Sequence, residues 1–195
     1  AFGPAHAADD DAAALMNPSV VRHPDQSGLG SGSVRILLSL RAVGEGHIST
    51  IAFREGIVSP GRNLSLLAQP PFATAAMLGK HRPDKPEDTL SLYRHRESTI
   101  SGMVIFPITE AQRNGLEDLR LVEFIRDSGK SEWIGTYTAY SGRDIQSELL
   151  RTRDFRDFTL TPIKGGAGGN KGMALFPRKI GGQFLMIGRQ DGKNL

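Results

Sequence analysis

Short runs rich in Val, Ile, Leu, Phe, Tyr and Thr recur along the chain between glycine, proline or charged turns, and helical periodicity is scarce. This pattern predicts an all-β protein built from many short antiparallel strands. The expected strands are Ser19 to Val21, Val34 to Leu40, Ile48 to Phe53, Leu64 to Ala68, Leu90 to Tyr93, Ile100 to Phe106, Leu119 to Phe124, Trp133 to Tyr140, Ile145 to Arg151, Phe155 to Thr161, Met173 to Phe176 and Phe184 to Gly188. Helix is expected only in short pieces, at Ala73 to Leu78 and Glu110 to Arg113.

A longer regularity lies above the strands. A polar cluster followed by a strand, a turn and a second strand occurs at Met16-Asn17-Pro18-Ser19, at Gly115-Leu116-Glu117-Asp118 and at Gly169-Asn170-Lys171-Gly172. The last two clusters stand about 50 residues apart, near the ~40 to 50 residues of a propeller blade. In the middle unit, four strands are joined by tight turns at Asp127-Ser128-Gly129, Ser141-Gly142-Arg143-Asp144 and Arg153-Asp154, which reads as one blade. Blade-like units are expected at about 16–57, 115–161 and 169–195, with an insertion or partial blade at 58–114. The innermost strand of each blade lines a central channel, so Asn17, Asp118 and Lys171 are expected to converge on one mouth. A propeller needs at least four blades to close; about three are present, so the sequence reads as a partial propeller or one completed from elsewhere.

Composition narrows the function classes. The 195 residues are 38% hydrophobic and 23% charged, enough for a real core, and 24 Lys and Arg against 21 Asp and Glu leave a net charge of +3 spread along the chain. No nucleic-acid stripe is indicated. The absence of cysteine excludes a disulfide framework, a thiol nucleophile and thiolate metal ligation. No apolar run approaches the roughly 18 residues of a membrane span. The first residues carry Asp9, Asp10 and Asp11 where an export signal needs a basic start and an apolar middle, and there is no initiator Met. The chain thus reads as a piece of a longer one, and with no cysteine the expected location is cytoplasmic.

The motifs have bland readings beside the chemical ones. Gly165 to Gly172 is glycine-rich, but Asn170 and Gly172 flank Lys171 where a phosphate loop needs Gly before the Lys and Ser or Thr after it, and a strand rather than a helix is expected next. Gly28-Leu29-Gly30-Ser31-Gly32 reads as a hairpin loop. Arg41, Glu45, His47 and Ser49 crowd a glycine-flanked turn that suits close approach to a ligand or, equally, an Arg41 to Glu45 structural ion pair. No third ligand accompanies Glu45 and His47, so a metal is not expected. Glu117 and Asp118 enter a strand whose alternation sends them to opposite faces, leaving one to point into the channel. A carboxyl there, flanked by Arg41, Lys171 and Arg189, suits a proton donor to a reaction with an anion, or a solvated turn with an Asp and Arg pair. Arg41, Lys171 and Arg189 are cations at blade-equivalent places, suited to a polyhydroxylated or phosphorylated ligand or simply to solvent.

Taken in order, Asn17-Pro18-Ser19, Leu40-Arg41-Ala42 with Ser49, Glu117-Asp118-Leu119-Arg120 with Gly135 to Tyr140, and Asn170 to Pro177 leading to Arg189 resemble glycoside hydrolase family 130, the β-mannoside phosphorylases and related β-mannosidases. The resemblance covers most of the chain and implies a five-bladed β-propeller. It implies that Asp118 is the general acid of an inverting reaction, passing its proton through the mannosyl 3-hydroxyl. Leu119 replaces the family's usual Pro at the next place. The resemblance also implies that Asn17 and Arg41 hold the mannosyl unit, with Ser19, Glu45, His47, Tyr137 and Asp191 as further substrate-binding candidates, and that Lys171 and Arg189 bind phosphate. The Gly44-Glu45-Gly46-His47 turn departs from the better-known phosphorylase pattern.

The expected function is inverting phosphorolysis of β-mannosides to α-mannose 1-phosphate, with no cofactor or metal and inorganic phosphate as co-substrate. The expected partner is a β-mannoside oligosaccharide, with no nucleic acid and no membrane, and self-association is left open. A phosphate-independent β-mannosidase, which needs a second carboxylate as base, a non-catalytic glycan-binding propeller and a purely structural propeller are the alternatives.

Overall fold

The computed structural model describes residues 13–61, 63–81 and 83–189, with the backbone alone of Glu45. Fourteen strands are present among them: β1 (Ala14–Arg22), β2 (Val34–Val43), β3 (Ser49–Ser59), β4 (Asn63–Leu66), β5 (Thr74–Ala75), β6 (Met77–Leu78), β7 (Leu90–Tyr93), β8 (Met103–Ile105), β9 (Gly115–Ile125), β10 (Ser131–Tyr140), β11 (Ile145–Thr152), β12 (Asp157–Pro162), β13 (Ala174–Leu175) and β14 (Met186–Ile187). The described residues contain no α-helix, only three 3-10 turns, so the protein is all-β.

Two antiparallel units dominate. The first is β1-β2-β3, with β4 and β8 added along β3. The second is β9-β10-β11-β12, extended by β7 and β6. Their ladders meet at a single parallel bridge between Ser49 and Gly115, and the resulting sheet is open among the described residues, running from β1 to β6. Side chains stitch the inner strands together: the Ser19 hydroxyl accepts from the Leu121 amide at 3.0 Å, and the Ser39 hydroxyl donates to the Leu119 carbonyl at 3.1 Å. The Trp133 indole N–H donates to the Arg22 carbonyl at 3.1 Å.

Strand alternation explains why β10 is buried almost throughout. Trp133, Tyr137 and Ala139 face a core shared with Leu37, Ile51, Phe53, Leu121, Leu150 and Phe158. The alternate residue Ile134 faces a second cluster with Phe124 and Leu175, against which Val122, Leu149 and Met186 pack. The middle unit is thus covered on both faces, by the first unit and by the β13–β14 hairpin. Phe155 is the hinge of the main core, with its ring 6.0 Å from Phe53 in an edge-on contact and 5.2 Å from Trp133. Complete burial of a ring of this size stabilises by about 2–3 kcal/mol.

The segment Ala73 to Leu78 is not helical. Two turns are too short to nucleate a helix unaided, and the Thr74 and Ala76 amides instead donate to the Gly102 and Val104 carbonyls. Glu110 to Arg113 shrinks to one 3-10 turn, Glu110–Gln112, with the Gln112 side-chain oxygen accepting from the Ile108 and Thr109 amides. The insertion is divided between the units, β8 joining β3 and β7 joining β12.

Candidate functional site

The first and second units present the same device at equivalent points of their first strands, β1 and β9. In β1, the register moves from Met16 opposite Arg41 to Ser19 opposite Ser39, so Asn17 and Pro18 together oppose Leu40. In β9, it moves from Glu117 opposite Thr138 to Arg120 opposite Thr136, so Asp118 and Leu119 together oppose Tyr137. Each bulge places its first residue in the left-handed region, Asn17 at φ 52° and Asp118 at φ 58°. Asn and Asp are the non-glycine residues that tolerate this region best, because a short polar side chain bonds locally.

The bulges bring the two residues together across 101 positions of sequence, with the Asn17 Nδ2 donating to Asp118 Oδ1 at 2.6 Å. Arg41 completes the cluster. Its Nη2 donates to Glu117 Oε1 at 2.8 Å, its Nη1 lies 3.7 Å from Asp118 Oδ1, and its Nε donates to the Ser49 hydroxyl at 2.8 Å. The expectation that Glu117 and Asp118 diverge is therefore corrected: the bulge breaks alternation, and both carboxylates reach one guanidinium. Arg41 spends its charge on these two acids.

Asp118 lines a small depression together with Thr136, Tyr137, Thr138, Ser147, Gly172 and Met173. Gly172 and Met173 belong to the segment that follows a 3-10 turn, Gly166–Gly169. Ala174 pairs with Ile187 and Leu175 with Met186, and extending that register sets Met173 against Gly188 and Gly172 against Arg189. Contacts agree: a Cβ on Gly188 would lie 3.0 Å from Met173 Cγ, and one on Gly172, at φ 72°, would lie 3.4 Å from Arg189 Nη2. Arg189 thus lies over Gly172, next in sequence to the exposed Lys171.

The other expected site residues are distributed differently. Ser19 is occupied by both backbone groups of Leu121. His47 is exposed at the end of the Glu45–His47 turn with φ 61°. The Glu45 side chain and Asp191 lie outside the described residues. Tyr137 is buried, and its hydroxyl donates to Glu148 Oε2. Gln112 Nε2 donates to the same carboxylate oxygen at 2.7 Å and contacts the Tyr137 hydroxyl at 3.2 Å. This network escapes the sequence pattern because its three residues come from three separate elements, and only register places Tyr137 opposite Glu148. Among the described residues, no group of three or more His, Asp or Glu side chains gathers to hold a metal ion. Among them, also, no helix is long and apolar enough to cross a membrane.

Burial pushes the Glu148 carboxyl above the ordinary carboxylate range, against the hydrogen bonds of Tyr137 and Gln112 that pull it down. An acid raised in the folded state holds its proton there more tightly than in the unfolded chain. Its contribution is therefore complete below the unfolded value and is lost as pH rises through the folded one. Stability is expected to decline as pH rises above the ordinary carboxylate range in the natural chain and to decline less in Glu148→Gln, whose amide oxygen still accepts from Tyr137 and Gln112. Denaturant unfolding at several pH values checks this; parallel profiles for the two proteins would refute it.

No protein-family model matches the chain, and no curated protein matches it. Solved structures do. The chain is similar to mannoside phosphorylases and a glycosyl hydrolase. A β-1,2-mannobiose phosphorylase from Listeria innocua is 16% identical, with a TM-score of 0.46 over 93% of this chain and 52% of its own. A glycosyl hydrolase from Bacteroides ovatus is 18% identical, with a TM-score of 0.46 over 89% of this chain and 43% of its own. A third, from work describing hydrolases within the GH130 mannoside phosphorylases that target β-1,2-mannosidic linkages in Candida mannan, is 16% identical, with a TM-score of 0.44 over 91% and 46%. The chain spans about half the length of these structures.

Proposed function

We propose that this chain is part of a glycoside hydrolase family 130 enzyme that cleaves β-mannosides by inverting phosphorolysis, its two units and the β13–β14 hairpin being blades of a five-bladed propeller. The observation that carries the reading is the meeting of Asn17, Arg41 and Asp118 at paired bulges, at the edge of a depression lined by Gly172, which adjoins Lys171 in sequence and has Arg189 against it. These are residues that the sequence resemblance also selects.

In this reading Asn17 and Arg41 orient the mannosyl ring, and Asp118 supplies the proton that reaches the glycosidic oxygen through the mannosyl 3-hydroxyl. A phosphate oxygen held by Lys171 and Arg189 forms the new bond to the anomeric carbon as the bond to the acceptor sugar breaks. The products are α-mannose 1-phosphate and the freed acceptor. Asn17 and Arg41 also hold Asp118 itself, by the 2.6 Å hydrogen bond and the 3.7 Å ion pair that fix where its carboxyl group stands.

The test is incubation with β-1,2- and β-1,4-mannobiose, with and without inorganic phosphate. Phosphate-dependent α-mannose 1-phosphate is expected. Phosphate-independent mannose would instead indicate a hydrolase, and no product with retained mannoside binding would indicate a glycan-binding propeller. Replacing Lys171 and Arg189 with Ala is expected to lower phosphorolysis by about 10²-fold or more, since each removes a charge-assisted contact to the anion, with little change in thermal midpoint. Unchanged phosphate dependence in the double variant would reject their role.

A further inference from the structure

The segment that carries Lys171 has no strand ladder until Ala174, and two hydroxyls on the middle unit hold its backbone instead. Thr136 Oγ1 donates to the Met173 carbonyl at 2.5 Å, and the Ser147 hydroxyl donates to the Asn170 carbonyl. These carbonyls bracket the Lys171-Gly172 pair. Ser147 is paired with Thr138, two residues along β10 from Thr136, so both donors leave the same face of the sheet. Both residues are almost fully buried, at 2% and 1% exposure. Gly172 lies between the two tethers at φ 72° with Arg189 against it, so the tethers define where both cations stand.

We infer that Thr136 and Ser147 are positioning residues for the anion: they fix the backbone on both sides of Lys171-Gly172 and so set the spacing of Lys171 and Arg189. This rests on the phosphorolytic reading above. Neither hydroxyl is assigned a contact with substrate; each acts through a carbonyl. Removing a hydroxyl leaves the buried Met173 carbonyl or the half-buried Asn170 carbonyl without its donor, and the segment relaxes to recover one. A displacement of about 1 Å in a group that must meet a reacting anion is enough to be felt in catalysis.

The experiment compares Thr136→Val, Ser147→Ala and the conservative Thr136→Ser with the unaltered protein. It reads KM for phosphate, KM for the mannoside, and direct calorimetric binding of inorganic phosphate. Each hydroxyl deletion is expected to raise KM and Kd for phosphate about tenfold and to leave KM for the mannoside within about twofold, whereas Thr136→Ser, which keeps its hydroxyl, is expected to match the unaltered protein. If Thr136→Val fails to fold, Ser147→Ala decides alone, because it removes one atom from a small side chain. Phosphate binding unchanged in the variants, or both KM values rising together, overturns the inference while phosphorolysis stands. Failure of the unaltered protein to bind or require phosphate overturns the phosphorolytic reading, and the inference with it.

Discussion

Asp118→Asn is expected to lower turnover of β-mannosides by about 10²- to 10⁴-fold, the usual worth of a positioned general acid, while leaving the fold unchanged. The substitution is nearly isosteric. Asn tolerates the left-handed backbone that Asp118 occupies at φ 58°, and its amide oxygen still accepts from Asn17, now 2.6 Å away. Arg41 keeps its shorter contact to Glu117 at 2.8 Å when the 3.7 Å attraction to Asp118 is lost. What disappears is the titratable proton. Asp118→Ala is the poorer variant, because alanine in the left-handed region costs about 1–2 kcal/mol and mixes loss of stability with loss of chemistry. The assay is product formation beside a thermal melt. Turnover surviving in a folded Asp118→Asn protein would remove Asp118 from the acid role.

The second large effect is on stability. Gly115→Ala is expected to cost about 3 kcal/mol of unfolding free energy, the sum of an unfavourable backbone and a steric conflict. Gly115 has φ 143°, and an added Cβ would lie 2.8 Å from Ser49 Cβ and 2.9 Å from the Ser49 amide nitrogen. Neither is the free end of a flexible side chain. Ser49 is fully buried and forms the parallel bridge that joins the two units, so it has little room to retreat. Its hydroxyl also accepts from Arg41 Nε, so a shift at Ser49 is passed to the guanidinium that holds Glu117 and Asp118. Gly129→Ala is the matched control: its φ is 74°, but no atom lies within 4 Å of the added methyl. Denaturant unfolding of both should show Gly115→Ala losing clearly more. Equal losses would mean that backbone strain acts alone and that the junction yields.

Much of the strand order was legible because the middle unit obeys simple alternation between strong turns. β10 and β11 were expected at Trp133 to Tyr140 and Ile145 to Arg151 and occur at Ser131–Tyr140 and Ile145–Thr152. The expected start of β12 at Phe155 fails for a local reason. Phe155 has φ 54°, and Asp154 Oδ1 takes the amides of Arg156 and Asp157, which delays the strand to Asp157. That Asn17 and Asp118 belong to one site was legible from the repeated clusters, which pointed to Lys171 as their third member; Arg41 was singled out by the resemblance. The reason they meet was not, since a bulge depends on pairing across strands and leaves no local mark beyond an Asn or Asp. The tethers from Thr136 and Ser147 were hidden for the opposite reason: Thr and Ser in a strand look like ordinary strand residues until the chain that crosses them is known.

The hydrogen bond from Trp133 to the Arg22 carbonyl gives the molecule an optical property. Trp133 is the one tryptophan in the sequence, and its indole lies between the two units, buried to 6% exposure and edged by Phe155. All tryptophan emission therefore comes from the seam between the units. Its colour follows the separation of the first unit from the second, whereas loss of strand structure is recorded by far-ultraviolet dichroism. The two signals together distinguish undocking of the units from melting of their sheets, without a label being introduced.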